Sequence, residues 1–255
     1  MRVMTAYCTD KGNVKPVNQD ALLIKTATVG NCNVALFCVC DGLGGLTMGE
    51  RASAHVVKHF SQWFEHDMQT VVTCENRTEK LQEQWELLLE NCNQKLGEFG
   101  QKNQINLGTT CTALFLCDGE YYITHVGDSR VYEILDQIHQ LTGDQTVLAR
   151  EIALGHIQSQ DVENDARASV LLQCIGASKT IEPQFVSGKA REDAVYMLCS
   201  DGFRHKITEE EFLDGFHPRH MTDERIMEKQ CEYFVELNKS RMERDNITVL
   251  LAKVQ

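Results

Sequence analysis

The sequence predicts an α+β fold, and three observations predict it. Apolar stretches of strand length stop abruptly at an aspartate beside a glycine, a pair of long amphipathic helical stretches lies between two such strands, and an Asp-Gly dipeptide joins two β-patterned runs.

Met1 to Asp20 reads as strand, turn, strand, with a turn signal at Lys11-Gly12 and a carboxylate, Asp20, just before the apolar Ala21-Leu22-Leu23-Ile24. Val34 to Cys40 is short, apolar on both faces and bounded by Asn33 and Gly42, the mark of a buried strand rather than a helix. Asp41 stands where that strand leaves the core. A carboxylate at this depth needs a partner or a cation, because burying it unpaired costs several kcal/mol. Gly42, Gly44 and Gly45 permit positive φ and close backbone approach, which would let a carbonyl face the same ion. Taken alone, Asp41 also fits an ordinary Asp-Gly turn.

Gly49 to Phe64 places Ala52, Val56, Val57, Phe60, Trp63 and Phe64 on one helical face, to be packed on the sheet that carries Asp41. After a polar break, Leu81, Trp85, Leu88, Leu89, Cys92, Leu96 and Phe99 keep the helical period, giving an antiparallel helix pair. Thr109 to Cys117, a turn at Asp118-Gly119 and Glu120 to Val126 form a hairpin, whose second strand ends at Gly127-Asp128 and is followed by a strand from Val131 to Leu135. Leu141 to Arg167 is weakly amphipathic, and its polar tract Gln158 to Asp165 predicts an exposed flap of short helices. Further strands are expected at Ile181 to Ser187 and Ala194 to Cys199, the latter ending in Ser200-Asp201-Gly202. Thr208 with Glu211 predicts a capping box, and Ile226, Met227, Cys231, Phe234 and Leu237 mark the apolar face of a longer helix. Ile247 to Val254, preceded by Asp245, closes the chain as a strand.

Length and composition bound the function. With 255 residues and 42% hydrophobic content the chain supports one substantial domain. A formal charge of -12 argues against a nucleic-acid or anionic-membrane surface and is compatible with divalent cations. No apolar run approaches a membrane span or a signal peptide, so a soluble, intracellular protein is expected. Most of the eleven cysteines sit in apolar runs, where reduced thiols behave as small hydrophobes, and no C-x2-C zinc spacing or H-E-x-x-H is present.

Asp41, Asp128, Asp201 and Asp245 thus lie at edges of predicted buried strands, with Asp20 a fifth. If those ends converge, their carboxylates suit Mg2+ or Mn2+, and a pair of ions about 3.5–4 Å apart would activate a bridging water toward phosphorus.

The ordered motifs resemble the metal-dependent protein serine/threonine phosphatases, the PPM family also called protein phosphatase type 2C, in its compact bacterial form. They are Thr9-Asp10-x-Gly12-x-Val14 with Asn18-Gln19-Asp20, Val39-x-Asp41-Gly42-x-Gly44-Gly45 with Gly49-Glu50-x-Ala52-Ser53, and Gly108-Thr109-Thr110. Val126-Gly127-Asp128-Ser129-Arg130, Leu141-Thr142-x-Asp144, Gln173-Cys174-Ile175-Gly176, Ser200-Asp201-Gly202 and Asp245-Asn246-Ile247-Thr248 follow in the family's order.

The resemblance implies a four-layer α-β-β-α sandwich, two central antiparallel sheets flanked by helix pairs, forming a single catalytic domain over 1–255 with a flap from Gln145 to Ser169 beside the site. It implies hydrolysis of phosphoserine and phosphothreonine by a metal-bridging water or hydroxide, using Mn2+ or Mg2+ as two core ions with a third, weaker one. Asp41 would bridge the core ions, Asp201 and Asp245 would complete the first, and the Gly42 carbonyl with Asp20, through water, the second. Asp128 with Asp201 would hold the third. The catalytic aspartates Asp41, Asp201 and Asp245 would act through metal-bound water. Phosphorylated proteins made by a serine/threonine kinase are the implied partners of a cytoplasmic monomer.

Two departures stand out. The family's phosphate-binding Arg is Lys15 here, a point charge in place of a bidentate fork, for which a solvated surface lysine is the plain alternative. Leu43 takes the position where some members carry a proton-donating His. His125 is read as a hydrogen-bonded core residue, Arg130 as pairing with a local acid or packing its stem rather than touching substrate, and Asp144 as a structural support of the flap. The competing class is an inactive PPM-fold binding module; a cysteine phosphatase is excluded because no cysteine begins a C-x5-R loop.

Overall fold

The computed structural model describes residues 2–43, 48–157 and 165–255. The chain runs β1 (Val3–Asp10), β2 (Ala21–Val29), β3 (Cys32–Cys40), α1 (Gly49–His66), α2 (Met68–Val72), α3 (Arg77–Asn103), β4 (Cys111–Cys117), β5 (Glu120–Val126), β6 (Arg130–Ile134) and β7 (Ile138–Gln140). It continues through α4 (Val147–Ala153), a 3-10 turn at Ala166–Ser169, β8 (Gln184–Lys189), β9 (Val195–Cys199), α5 (Asp201–Arg204), α6 (Glu209–Phe216), α7 (Glu224–Ser240) and β10 (Ile247–Val254).

Two five-stranded sheets form, ordered β1-β10-β9-β6-β7 and β2-β3-β4-β5-β8, and every neighbouring pair is antiparallel. The period-2 alternation of strand side chains explains why β3 is apolar from Val34 to Cys40. Phe37 and Val39 point between the sheets, where they meet Leu198 and Leu250. Leu36, Cys38 and Cys40 point outward onto Val56 and Phe60 of α1 and Trp85 of α3. The first sheet is covered likewise, with Met197, Val249 and Leu251 against Phe212 of α6 and Met227 and Phe234 of α7. Burying one such Phe or Leu stabilises by roughly 1.5–3 kcal/mol, so both covered faces are needed to hold the stack. This is the four-layer α-β-β-α sandwich.

Local chemistry sets the element ends. Asp118 and Gly119 both take positive φ, 55° and 75°, as a two-residue hairpin turn of the primed type requires. Thr208 and Glu211 form the expected reciprocal capping box at α6. α1 and α3 run antiparallel, since Trp63 meets Gln84 and Trp85 while the earlier His55 lies by the later Cys92.

Several expectations are corrected. The strands either side of the Lys11-Gly12 turn form as expected but enter different sheets, β1 on β10 and β2 on β3. β4 begins two residues later than expected, because Thr109 bridges Gly42 and Ile175 instead of extending the ladder. β8 starts at Gln184, after Pro183, which has no N–H to donate. β7 was not expected from its polar residues. Phe99 and Ile226, assigned to apolar faces, are 38% and 41% exposed. Gly44, Gly45 and the tract Gln158 to Asp165, except Asp165 itself, fall outside the described residues.

Candidate metal centre

Strand register brings the predicted acids together. Ala21 pairs with Cys40, so Asp20 and Asp41, the residues just outside that pair, meet at one end of the second sheet. Cys199 pairs with both Val249 and Arg130, which sets Asp201 and the residues around Asp128 and Asp245 at the matching end of the first. Asp128 lies in the link where the chain passes from β5 in one sheet to β6 in the other. Five carboxylates from five separate segments therefore face one another.

Their electrostatics carry the mark of this convergence. Burial, and then the charges of Asp20, Asp201, Asp128 and Asp245, push the Asp41 carboxyl well above the usual carboxylate range. Burial and Asp201 raise Asp128 to about 7. Asp20 is likewise raised to about 7, chiefly by burial, with Asp201 and Asp245 adding to it. Both side-chain oxygens of Asp20 and Oδ1 of Asp201 are buried without a hydrogen-bond partner among the described residues. The Thr248 and Ser200 hydroxyls near Asp20 are engaged elsewhere, with Thr9 Oγ1 at 2.7 Å and the Thr248 backbone.

Buried carboxylate oxygens left without donors are rare in folded proteins, and an all-oxygen donor set suits hard divalent cations, so this site fits Mg2+ or Mn2+. The like charges hold apart: among the described residues no three of these carboxylates gather oxygens within 4.8 Å of one another.

The backbone around the acids is tightly fixed. The Asp41 N–H donates to Thr110 Oγ1 at 2.9 Å, and its carbonyl accepts from Thr110 N and Thr109 Oγ1, both at 2.9 Å. Of the positive φ and the close backbone approach that glycine permits, Gly42 does not use the first. It is needed for space instead, since a Cβ there would stand 2.5 Å from the carbonyl oxygens of Gln19 and Gly49. Gly12, at φ 73°, packs so close to Asp245 that a Cβ would lie 2.5 Å from its carbonyl oxygen. Asn246 ties the Asp20 loop down, accepting from Gln19 N at 2.9 Å and donating to the carbonyls of Lys11 and Val17.

Lys15 reaches this centre. Its Nζ lies 2.7 Å from Asp245 Oδ1. Burial pulls its ammonium down, but the Asp245 hydrogen bond and the charges of Asp245, Asp41 and Asp201 carry it above the usual lysine range. His125 is the core residue expected, buried between Thr112 Oγ1 at 2.9 Å and the Gly127 carbonyl at 3.0 Å, and burial lowers its pKa to about 4. Arg130 grips Asp144 through two 2.7 Å hydrogen bonds and also reaches the Tyr132 hydroxyl.

Three supporting residues escaped the sequence reading. Arg204 donates to the Asp128 carbonyl and stands 3.9 Å from Asp128 Oδ2 and 3.5 Å from Asp144 Oδ2. His205 lies 3.5 Å from Asp201 Oδ2 and 3.7 Å from Glu243 Oε2. Glu243 Oε1 accepts the N–H groups of Arg244 and Asp245, which aims the latter segment. The available signal was position: Arg204 and His205 follow Ser200-Asp201-Gly202 by one helical turn, the spacing at which side chains share a face.

Comparison with known proteins gives a consistent picture. The sequence model of the family described as Protein phosphatase 2C matches residues 12–236. The protein phosphatase PhpP of Streptococcus pneumoniae is 26% identical over 249 residues, covering 96% of this chain and 95% of its own. The S. agalactiae serine/threonine phosphatase structure superposes with a TM-score of 0.85 at 24% identity, covering 100% of both chains. The catalytic domain of the serine/threonine phosphatase PstP in complex with two manganese ions superposes with a TM-score of 0.77 at 23% identity over 99% of each chain.

Proposed function

We propose, from the premise that this chain belongs to the protein phosphatase 2C family, that the acidic cluster around Asp41 is where it hydrolyses phosphate esters of protein serine and threonine. The chain is a metal-dependent protein serine/threonine phosphatase, and phosphoproteins are its substrates. The observation that carries the site assignment is the set of five converging carboxylates, three of whose oxygens are buried without a donor.

In this reading Asp41, Asp201 and Asp245 hold a first divalent ion. Asp41, the Gly42 carbonyl and, through water, Asp20 hold a second. Asp128 and Asp201 hold a third, weaker one. Such ions supply positive charge to the phosphate oxygens and acidify water so that it can attack phosphorus near neutral pH. All-oxygen ligands accept Mn2+ and Mg2+ alike, and the manganese pair in the PstP structure supports two core ions.

The chain's own groups orient and hold. Thr109 and Thr110 fix the backbone of Asp41, and Asn246 and Ser53 fix the Gln19 backbone beside Asp20. Glu243 and His205 position Asp245 and Asp201. Lys15 offers its ammonium to a phosphate oxygen as a point charge while steadying Asp245. Leu43 brings no proton, so the departing serine or threonine oxygen takes its proton from water. Gln145, where the flap begins, is held beside the site by exchanging hydrogen bonds with Gly127.

The substrates are products of a serine/threonine kinase, and the enzyme works as a cytoplasmic monomer folded as one catalytic domain. No helix among the described residues is long and apolar enough to cross a membrane. The free cysteines suit a reducing compartment. Turnover of p-nitrophenyl phosphate and of a phosphothreonine peptide with Mn2+, repeated in excess chelator, tests the assignment. Turnover indifferent to the chelator defeats it.

A further inference from the structure

A second cluster of ligating groups lies on the helical layer, apart from the acids. His55 and His59 are one turn apart on α1, so both imidazoles leave the same face. That face meets Cys92 of α3. One donor atom from each of His55, His59 and Cys92 lies within 4.8 Å of the other two, and the two imidazole centroids are 4.2 Å apart.

The hydrogen bonding leaves these donors free. His59 Nδ1 is 2.8 Å from the His55 carbonyl oxygen, which makes Nδ1 the N–H donor and leaves the lone pair on Nε2. His55 Nε2 is buried and has no hydrogen-bond partner among the described residues. The Cys92 thiol is fully buried. Nothing in the phosphatase chemistry uses these three groups, and an orphaned buried imidazole nitrogen is an unusual thing to maintain.

We propose that His55, His59 and Cys92 form a second metal site, binding Zn2+ through two imidazoles and one thiolate with water in the fourth position. The nitrogen and sulfur donors select a borderline-soft ion over the Mg2+ or Mn2+ suited to the acidic cluster. A tetrahedral zinc site with bonds of about 2.0–2.3 Å has donor–donor edges below about 3.8 Å, so rotamer adjustments on the order of 1 Å complete it.

The His55 imidazole begins in the ligating state, for burial and the neighbouring His59, Lys95 and Lys58 hold it neutral down to about 4. Burial keeps the Cys92 thiol protonated up to about 12, with Lys95 pulling the other way. On binding, the thiol proton passes to solvent as the sulfur–metal bond forms. Lys95 opposes the incoming cation and favours the thiolate.

Bound zinc would staple α1 to α3 one side of the existing Trp63–Gln84 hydrogen bond of 2.7 Å. α1 in turn is bonded through Ser53 to the Gln19 carbonyl beside Asp20, at 2.6 Å.

The test uses the full chain stripped of metal and then saturated with Mg2+, with Co2+ added as a spectroscopic stand-in for Zn2+. The expected result is a near-ultraviolet thiolate-to-cobalt charge-transfer band that saturates at a single site and is bleached by Zn2+. An oxygen-only site cannot produce that band. Zn2+ should also raise the melting temperature, by about 5 °C at a hundredfold excess over its dissociation constant. Cys92→Ser should abolish the band. His59→Ala, at a half-buried position that tolerates truncation, should weaken binding at least about tenfold, the loss that even outer-shell changes bring. Absence of the band in the parent chain overturns the proposal. So does a band of undiminished affinity in His59→Ala, which would place the metal on the buried thiols Cys38, Cys40 and Cys111 instead.

Discussion

Asp128, buried, and Asp144, largely buried, both lie near Arg204, and they meet opposite fates. Asp144 receives two 2.7 Å hydrogen bonds from Arg130, and although burial works against it, that partner and the Arg204 charge hold its carboxyl below the usual range. Asp128 has a distant Arg204 and the weaker influence of His205 against its burial and the charge of Asp201, and it rises to about 7. One region satisfies its buried charge internally. The other, with Asp20 and Asp41, leaves charge to be satisfied from outside. The difference separates a structural ion pair from a binding site without reference to what binds.

The strongest way to break this comparison is to remove charge from the open region. Asp41→Asn and Asp245→Ala should each lower Mn2+-dependent turnover of p-nitrophenyl phosphate about a thousandfold or more, ~4 kcal/mol of barrier. Asp41→Asn should nonetheless melt no lower than the parent when both are metal-free, since it relieves repulsion from four neighbouring acids. Retained turnover in either variant would remove that residue from the metal centre.

The closed region should answer with stability. Asp144→Ala leaves the largely buried Arg130 guanidinium without its carboxylate partner, a loss of about 2 kcal/mol readable in urea unfolding. An unfolding midpoint that does not move would show that Tyr132 alone satisfies Arg130.

The two regions also predict opposite pH dependences. Asp20 and Asp128 have folded-state values near 7 against 3.8 for the free side chain, so between those values the folded metal-free chain binds more protons than the unfolded one. Unfolding free energy from these groups therefore falls as pH rises from about 4 to about 7. Asp144, depressed when folded, contributes stability present above the unfolded value and lost only as pH falls through its lower folded value. Metal-free protein should melt on the order of 5 °C higher at pH 5 than at pH 7, and saturating Mn2+ should flatten or reverse that slope. An unchanged slope on adding Mn2+ would mean the ions do not meet these carboxylates.

Much of this is legible in the sequence. Three apolar strands ending beside Asp41, Asp128 and Asp201 gave the acids away, because strand ends of a two-sheet stack share a common edge. The Asp118-Gly119 hairpin and the Thr208 capping box were equally local, and local chemistry is what a sequence displays directly. What stayed hidden depends on contacts distant in the chain. β1 pairs with β10 across nearly the whole length, and Gly42 is required by crowding from Gln19 and Gly49 rather than by its own φ. The same holds for Arg204, His205 and Glu243, ordinary helix and loop residues whose roles come from what faces them, and for the His55, His59 and Cys92 group, in which Cys92 reads as one more apolar position on α3.

Lys15 tests where the boundary between the two regions lies. Its 2.7 Å bond to Asp245 makes it a partner that satisfies charge, as Arg130 satisfies Asp144, yet it also feels Asp41 and Asp201 across the open centre. If it binds phosphate, Lys15→Ala should raise the Michaelis constant for a phosphothreonine peptide about fivefold, ~1 kcal/mol, with little change in turnover number. Lys15→Arg should preserve or improve activity, because a guanidinium offers phosphate two parallel donors where the ammonium offers a point charge. An unchanged Michaelis constant in the alanine variant, accompanied by a lower metal-free melting temperature, would assign Lys15 to Asp245 alone and place it with the internally satisfied charges.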